Sequence, residues 1–252
     1  MKKEEVRLKS KDDIDKLRKS NIIVAEILDL LTESIAPGIT TMDLERLAQN
    51  EVDKRKVKPA FKGYKGYPFC LCTSVNEVVV HGMPGGRELK SGDILSIDFG
   101  VKHDGFFGDS ARTVAVGEIA EDTRRLVDVT EESLERAIRV VRPGGTLKDI
   151  AKAVQGYVEG EGFSVVRAFV GHGIGRELHE HPQIPNFVMP GFDLELKEGM
   201  VLAIEPMINV GSAGIKVLDD GWTAVTEDGA LSAHFEHSVA VTAEGSYVLS
   251  RI

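Results

Sequence analysis

Residues 89–98 (LKSGDILSID) and residues 196–205 (LKEGMVLAIE) are two copies of one pattern, and this repeat decides the fold. Each copy is a short polar turn followed by an apolar run that ends in a carboxylate, so Asp98 of the first copy aligns with Glu205 of the second. Short-period repeats are typical of solenoids, whereas two copies separated by roughly a hundred residues indicate a pseudo-twofold duplication. The repeat therefore predicts two related halves.

A second pair of matched blocks lies upstream of the first, PGITTMDLERLAQNEV and PGGTLKDIAKAVQGYV. In each block a Thr precedes an Asp by three residues, as Thr40 with Asp43 and Thr146 with Asp149, and this spacing predicts a capping box at a helix start. A longer amphipathic helix is predicted before each block, because apolar residues recur there with helical spacing. These apolar residues are Ile14, Leu17, Val24, Ile27, Leu28 and Leu31 in the first helix and Leu126, Leu134, Ala137, Ile138 and Val141 in the second.

The composition is that of an ordinary globular protein, with 42% hydrophobic and 28% charged residues. Thirty-one basic residues against 40 acidic ones give a net charge of −9, which argues against non-specific binding of DNA. One basic stretch, EVDKRKVKPAFK, is a candidate for contact with RNA, although a solvated helix end is the favoured interpretation.

The cysteines and the apolar runs bear on the compartment. Cys70 and Cys72 are the only cysteines, and residues two apart on one strand are too distant for a relaxed disulfide. This favours a reducing compartment. The N-terminal stretch lacks the apolar core of a signal peptide, and no apolar run approaches the roughly 18–20 residues of a membrane span. We therefore expect a cytoplasmic protein.

Five side chains that can bind metal ions are predicted at the ends of apolar, strand-like segments. They are Asp98 in DILSIDFG, Asp109 after GFFG, His172 in VVRAFVGHG, Glu205 in MVLAIEP and Glu236 in FEHSVAVT. An ionised carboxylate loses its hydration in such a segment, which is costly unless a partner neutralises it. Few basic residues stand nearby in the sequence, so a pair of divalent cations is the partner that satisfies all five.

The segment DFGVKHDGFFGD predicts a β-hairpin that carries two of these carboxylates. With the turn at His103-Asp104, Asp98 and Asp109 are directly opposite each other, and with the turn at Asp104-Gly105 they are diagonal neighbours. Both registers place the carboxylates on one face, because strand side chains alternate with period two. Like charges so close repel, so either register predicts a bridging cation.

The candidate ligands also bear on domain organisation. The halves cover roughly residues 10–115 and 116–252, and each half contributes some of the ligands but not all. We therefore expect residues 1–252 to form a single catalytic domain, with the site at the interface between the halves.

The chain resembles the type I methionine aminopeptidases, members of the pita-bread metallopeptidase family, from about Ser10 to its end. The motifs that carry the resemblance, in family order and spacing, are KPAFKGYKGYPFCLCTSVNEVVVHGMP, GDILSIDFG, GDSARTVAVG, GHGIGRELHEHP, LAIEPM and HFEHSVAVT. The resemblance implies an α+β pita-bread fold, in which two pseudo-twofold-related halves form a curved antiparallel sheet with helices on its outer face. It also implies that the five candidate ligands hold two divalent ions, Co²⁺, Mn²⁺, Fe²⁺ or Zn²⁺.

By the same resemblance, the reaction is removal of the initiator methionine from nascent proteins with a small second residue, by attack of a hydroxide that bridges the ions. Glu205 would act as general base, His179 would hydrogen-bond the scissile carbonyl, and His81 would contact the substrate amide. The two histidines occupy matched positions in HGMP and HEHP, which independently indicates that they face one cleft.

The resemblance further implies a substrate pocket and a set of partners. Tyr64, Tyr67, Cys72 and Trp222 match the family's pocket positions, although aromatic core packing is an equally good interpretation of the two tyrosines. The implied partners are N-terminal methionyl peptides and nascent chains, with a weak contact to the ribosome. We expect no binding to DNA or membranes, and a monomer.

Three alternatives remain open. The first is an Xaa-Pro aminopeptidase or prolidase of the same fold, although those enzymes usually carry a long additional N-terminal domain. The second is a non-catalytic pita-bread module that binds peptide or RNA, although such modules lose metal ligands. A structural calcium site fits the carboxylates but not the imidazole.

Overall fold

The computed structural model describes residues 6–252, so the first five residues of the expected domain lie outside the described part. Helices and strands within this range follow one another in the predicted order, two helices before the strands of each half. The helices are α1 (Lys11–Ser34), α2 (Thr41–Arg55), α3 (Glu121–Val140) and α4 (Leu147–Gly160), with a short 3-10 helix at Tyr64–Gly66. The strands are β1 (Lys58–Pro59), β2 (Leu71–Val75), β3 (Val78–Val80), β4 (Ile94–His103), β5 (Phe106–Ala115), β6 (Ser164–Val165), β7 (Gly171–Gly173), β8 (Glu180–Ile184), β9 (Val201–Ile204), β10 (Met207–Asn209), β11 (Ile215–Val217), β12 (Ala224–Thr226), β13 (Ser232–His234), β14 (Glu236–Thr242) and β15 (Gly245–Val248).

The two predicted capping boxes are present and start α2 and α4. The hydroxyl of Thr40 accepts a hydrogen bond from the backbone N–H of Asp43, and the Asp43 carboxylate accepts one from the Thr40 N–H in return. Thr146 and Asp149 make the same reciprocal pair. Each box satisfies two backbone donors that the first turn of a helix leaves free, which is why these helices begin where the sequence predicts.

The predicted apolar faces of α1 and α3 are buried, except that Ile14 is only half-buried. Helix α1 packs across β4 and β5, and α3 packs on α4 and on strands of the second half. Full burial of a Leu or Ile side chain stabilises a fold by about 1.5–3 kcal/mol, so these faces hold the helices against the sheet. No helix within residues 6–252 is both long enough and apolar enough to cross a membrane.

One antiparallel sheet of nine strands runs through both halves. Its order is β1-β4-β5-β14-β9-β7-β8, with β2 paired to β4 and β15 paired to β14. The halves meet where β5 pairs with β14, so the centre of the sheet is the boundary between them. Two smaller sheets, β13-β10-β6 and β11-β12-β3, lie beside it.

Two candidate ligands lie at a different place in their strands than the sequence predicted. Asp98 and Asp109 were expected at strand ends, but they lie inside β4 and β5, which continue past them to the hairpin turn. The prediction was wrong because the apolar run stops at the carboxylate whereas the pairing does not: the predicted hairpin is paired along its whole length, so both strands continue to the turn. Their common face, which depends only on the period of the strand, is unaffected.

Candidate active site

The β4–β5 hairpin adopts the second of the two predicted registers. His103 pairs with Phe106, so the two-residue turn is Asp104-Gly105. Both turn residues have positive φ, 48° and 84°, as a type I′ turn requires. Asp at the first position and Gly at the second tolerate this backbone, and the turn therefore fixes the register of the whole hairpin.

Small residues keep space open between the carboxylates. Asp98 lies opposite Ala111 across β4–β5, and Ala111 lies opposite Glu236 across β5–β14. Opposite residues share a face of the sheet, so the two carboxylates flank a single methyl group. Asp109 lies opposite Gly100, where a Cβ atom would be 3.0 Å from Oδ1 of Asp109. A glycine at this position leaves room for the Asp109 side chain.

His172 and Glu205 reach the same face from strands of the second half. His172 is the central residue of β7 and lies opposite Ala203 in β9, and Glu205 follows two residues after Ala203. Because alternate residues share a face, the imidazole and the carboxylate are brought side by side. A Cβ atom at Gly171 would lie 2.3 Å from the carbonyl oxygen of Ala203, so only glycine permits this approach of β7 to β9.

The ligand atoms converge to distances that a metal ion can span. One side-chain atom from each of Asp109, His172 and Glu236 lies within 4.8 Å of the other two. Nε2 of His172 is 3.6 Å from Oε1 of Glu205 and 4.0 Å from Oδ2 of Asp109. Nδ1 of the same ring is 2.9 Å from the carbonyl oxygen of Gly173, and a proton donated there leaves the Nε2 lone pair free to bind a cation.

Four carboxylates share this site without a basic partner. Burial raises the pKa of Asp98 to about 7, and burial together with neighbouring carboxylates raises the pKa of Asp109, Glu205 and Glu236 well above the ordinary range. One oxygen each of Asp98, Asp109 and Glu236 is buried without a hydrogen-bond partner. Across residues 6–252, no lysine or arginine forms an ion pair with these four groups. Unpaired buried charge costs several kcal/mol per ion, and a donor set of four carboxylates and one imidazole fits divalent cations.

The predicted catalytic and pocket residues line one cavity of about 160 Å³ together with all five candidate ligands. The residues outside the ligand set are Tyr64, Tyr67, Cys72, His81, His179 and Trp222. The His179 ring stacks on Tyr64 with a centroid separation of 5.2 Å and is tilted against His172 at 4.1 Å. The Trp222 ring meets His81 edge-on at 6.2 Å. Both histidines predicted from the matched motifs therefore face the cavity.

The two cavity histidines outside the ligand set, His81 and His179, are neutral at neutral pH. Burial lowers the pKa of His81 to about 4, and burial with the neighbouring imidazole of His172 lowers the pKa of His179 to about 3. His179 keeps an exposed edge at the cavity mouth, so its ring is both desolvated and reachable. A neutral imidazole carries one N–H, which can donate a hydrogen bond to an oxygen bound in the cavity.

The apolar end of the cavity is formed by residues that also belong to the core. Tyr67 is 2% exposed, and its hydroxyl donates to the carbonyl oxygen of Leu71 or Gly82, at 3.1 and 3.2 Å. Tyr67 therefore packs in the core and also lines the cavity. Cys72 lies opposite Asp98 across β2–β4, and burial raises the pKa of its thiol. A neutral buried thiol acts as a small apolar wall.

Three site residues were missed from the sequence. Phe61 and Lys65 line the cavity, and buried His234 places Nε2 3.7 Å from Oε2 of Glu205. His234 precedes Glu236 by two residues, and this period-two spacing in an apolar segment was the signal that could have identified it. Lys65 belongs to a short 3-10 helix in a glycine-rich segment, for which residue spacing gives no face.

Comparison with known proteins agrees with this geometry. Residues 15–243 match the model of metallopeptidase family M24. The chain belongs to metallopeptidase family M24. A methionine aminopeptidase from Clostridium perfringens is 52% identical over 245 residues, which cover 97% of this chain and 98% of that protein. This family membership confirms the resemblance inferred from the sequence motifs.

Solved structures of family M24 proteins confirm the pita-bread fold. A methionine aminopeptidase from Thermotoga maritima superimposes with a TM-score of 0.96 at 47% identity and covers 98% of this chain and 100% of that one. A prolidase from Pyrococcus furiosus has a TM-score of 0.76 at 22% identity, and the match covers 97% of this chain but 65% of the prolidase. The prolidase likeness supports the fold alone.

Proposed function

We propose that this chain is a methionine aminopeptidase that removes the initiator methionine from proteins with a small second residue. The observation that carries the proposal is the small cavity that ends at five convergent metal-binding side chains. Ligand pockets usually have volumes of roughly 300–1,000 Å³, and a cavity of about 160 Å³ has room for a single side chain. The 52% identity to a methionine aminopeptidase supports the same substrate.

We propose that Asp98, Asp109, His172, Glu205 and Glu236 hold two divalent ions. When bound there, such ions would lower the pKa of a water molecule and would polarise the carbonyl of the first peptide bond. Because the donor set is rich in carboxylates and contains one imidazole, Mn²⁺, Fe²⁺, Co²⁺ and Zn²⁺ are the candidates. Metal analysis of protein purified without added metal measures the number of ions per chain and their identity.

The remaining roles fall on three cavity side chains. Glu205 acts as the general base and passes a proton to the leaving amine. Its Oε1 lies 3.6 Å from Nε2 of His172, and its Oε2 lies 3.7 Å from Nε2 of His234. His179 donates its N–H to the oxyanion that develops on the scissile carbonyl. His81 contacts the amide of the substrate from the other side of the cavity.

We propose that Tyr64, Tyr67, Cys72 and Trp222 bind the methionine side chain. Tyr67 and Trp222 meet edge-to-face with a centroid separation of 5.1 Å and form two adjoining walls. The Cys72 thiol adds a soft, polarisable surface next to them, and thioethers make favourable contacts with aromatic rings. A branched or charged side chain would clash with the rings or lose its hydration without a partner.

Nascent chains and the ribosome are the proposed macromolecular partners. Lys58 and Lys102 lie opposite each other across β1–β4, and like charges in this arrangement destabilise a strand pair. An anionic partner such as ribosomal RNA would relieve that repulsion. Co-sedimentation with ribosomes at low salt, lost in a Lys58→Glu variant, is the expected outcome.

We also propose that residues 1–252 act as one catalytic domain and that the protein is a cytoplasmic monomer. The pairing of β5 with β14 joins the halves through the centre of the sheet, which supports one folding unit. The two cysteines are free, which suits a reducing compartment. Sedimentation analysis tests the oligomeric state.

One assay separates the proposed activity from its nearest rival. Purified protein should release methionine from Met-Ala-Ser only when divalent metal is supplied, and it should leave Xaa-Pro peptides intact. Release without metal, or cleavage before proline at a comparable rate, would overturn the assignment. An inactive protein that still binds peptide would point instead to a binding module.

A further inference from the structure

A buried ion pair joins the segment that precedes α1 to the turn that carries His179. Nζ of Lys9 is 2.8 Å from Oε2 of Glu180, and the two side chains are only 6% and 4% exposed. The other carboxylate oxygen, Oε1, accepts hydrogen bonds from the backbone N–H groups of Arg176 and Glu177 at 2.8 and 3.2 Å. Glu180 therefore connects the two ends of the 175–180 turn and attaches the turn to Lys9.

The backbone around this pair is shaped to admit it. A Cβ atom at Gly175 would lie 2.5 Å from Oε1 of Glu180 and 2.8 Å from Cε of Lys9. At Gly199, a Cβ atom would lie 2.8 Å from the carbonyl oxygen of Lys9, whose own N–H donates to the Gly199 carbonyl at 2.7 Å. Gly199 thus makes room for the backbone of Lys9, and Gly175 makes room for its side chain. The close packing on both sides fixes the position of the Lys9 ammonium group.

The turn held by this pair leads into the cavity. His179 immediately precedes Glu180, and Glu180 is the register partner of Gly173, the residue after His172. Any displacement of Glu180 therefore shifts His179, whose ring stacks on Tyr64 and is tilted against His172. A neutral imidazole that donates to an oxyanion needs its N–H aimed to within a few tenths of an ångström.

We propose that Lys9 is a positioning residue, which holds the 175–180 turn through its buried ion pair with Glu180 and so aims His179 at the scissile carbonyl. The inference rests on the proposed function of His179. A buried pair is no stronger as a stabilising element than apolar residues of the same shape, so its value here is a fixed geometry. Removal of Lys9 would leave Glu180 with only the more distant and exposed Arg7 guanidinium, 3.9 Å from Oε1, and the carboxylate would move toward water.

The experiment compares Lys9→Met with two reference variants. A displacement of about 1 Å costs roughly 100-fold in rate, so kcat for Met-Ala-Ser should fall about 10- to 100-fold with metal content unchanged and KM within about twofold. Lys9→Arg retains the charge and should restore kcat to within a few-fold of the parent. Lys11→Met is the matched control, because Lys11 lies two residues further along the chain and is exposed, and kcat should not change.

A double-variant cycle separates positioning from general weakening of the fold. In a His179→Ala background, Lys9→Met should lower kcat no further, because the group that it positions is gone. An equal loss of kcat in both backgrounds, or a folded Lys9→Met protein with parental kcat, would overturn the inference. If Lys9→Met does not fold, Lys9→Gln removes the charge with a shorter side chain, and its kcat should lie below that of Lys9→Arg in the parent and should equal that of His179→Ala alone in the double variant. Parental kcat in His179→Ala alone would instead overturn the proposed role of His179.

Discussion

Gly171 offers a direct test of the claim that strand spacing sets the geometry of the metal ligands. A methyl group added at this position would lie 2.3 Å from the carbonyl oxygen of Ala203 and 3.2 Å from Cβ of Ile184. Real Cβ contacts do not fall below 3.0 Å, so Gly171→Ala must move β7 and β9 apart by at least 0.7 Å. His172 lies next to Gly171, and Glu205 directly follows β9. The displacement of the two strands therefore changes the 3.6 Å distance between Nε2 of His172 and Oε1 of Glu205.

The expected loss follows from that displacement. Metal–ligand distances are constant to within about 0.2 Å, and a shift several times larger changes the coordination of at least one ion. Perturbation of the groups that support a ligand typically costs about 10- to 100-fold in metal affinity. We expect Gly171→Ala to bind metal at least 10-fold more weakly, and kcat/KM for Met-Ala-Ser at subsaturating metal to fall by the same factor.

The assay is a metal titration of chelator-treated protein, followed by metal analysis and by the rate of methionine release. Gly156→Ala is the matched control, because Gly156 lies inside α4 and a Cβ atom there meets nothing within 4 Å. This control should stabilise the fold by about 0.4–1 kcal/mol and leave metal affinity unchanged. Parental metal affinity in a folded Gly171→Ala protein would refute the argument that β7–β9 spacing fixes the site.

Three further variants test the role of His179, the N-cap of α4 and the burial of His237. His179→Ala should keep its full metal content while kcat falls about 100-fold or more, and loss of metal instead would mean that its role is misassigned. Thr146→Ala removes the N-cap of α4 and should cost about 1 kcal/mol in urea unfolding with kcat unchanged. Burial, with help from Arg251 and Arg112, lowers the pKa of His237 to about 3, so the unfolded chain binds a proton there below about pH 6.5 and the folded chain does not. The parent should therefore lose about 2 kcal/mol more than His237→Gln between pH 7 and pH 5, and equal losses by urea unfolding would contradict this.

The parts of the fold that could be predicted from the sequence are those determined within a few residues. The capping boxes at Thr40 and Thr146 depend on contacts between residues three apart, and the face shared by Asp98 and Asp109 depends only on strand period. The hairpin register could not be chosen, because both turns place the carboxylates on the same face. It was decided by positive φ at two turn residues, a property that Asp104-Gly105 meets more easily than His103-Asp104.

Long-range pairing accounts for what the sequence did not predict. His234 belongs to the site because it contacts Glu205. Glu205 lies far from it along the chain, and the pairing of β10 with β13 brings the two residues together. The Lys9–Glu180 pair joins positions 171 residues apart. The spacing of His234 and Glu236 indicates a shared face but not the partner, and the Lys9–Glu180 pair leaves no local signal, because each contact forms only when several strands are paired in register.

The duplication explains why the scaffold is symmetric while the site is not. The N-cap of α2 forms a bridge to Glu88, and the N-cap of α4 forms the equivalent bridge to Glu195, so both halves attach their helix to the turn before the repeated strand in the same way. The halves then diverge directly after the repeated carboxylate. Asp98 is followed by Phe99 and β4 continues into the hairpin that brings in Asp109, whereas Glu205 is followed by Pro206, which has no N–H for the ladder, and β9 ends. Glu205 therefore lies at the end of β9, on the face that it shares with Ala203, and only the second half places its repeated carboxylate between two imidazoles, those of His172 and His234.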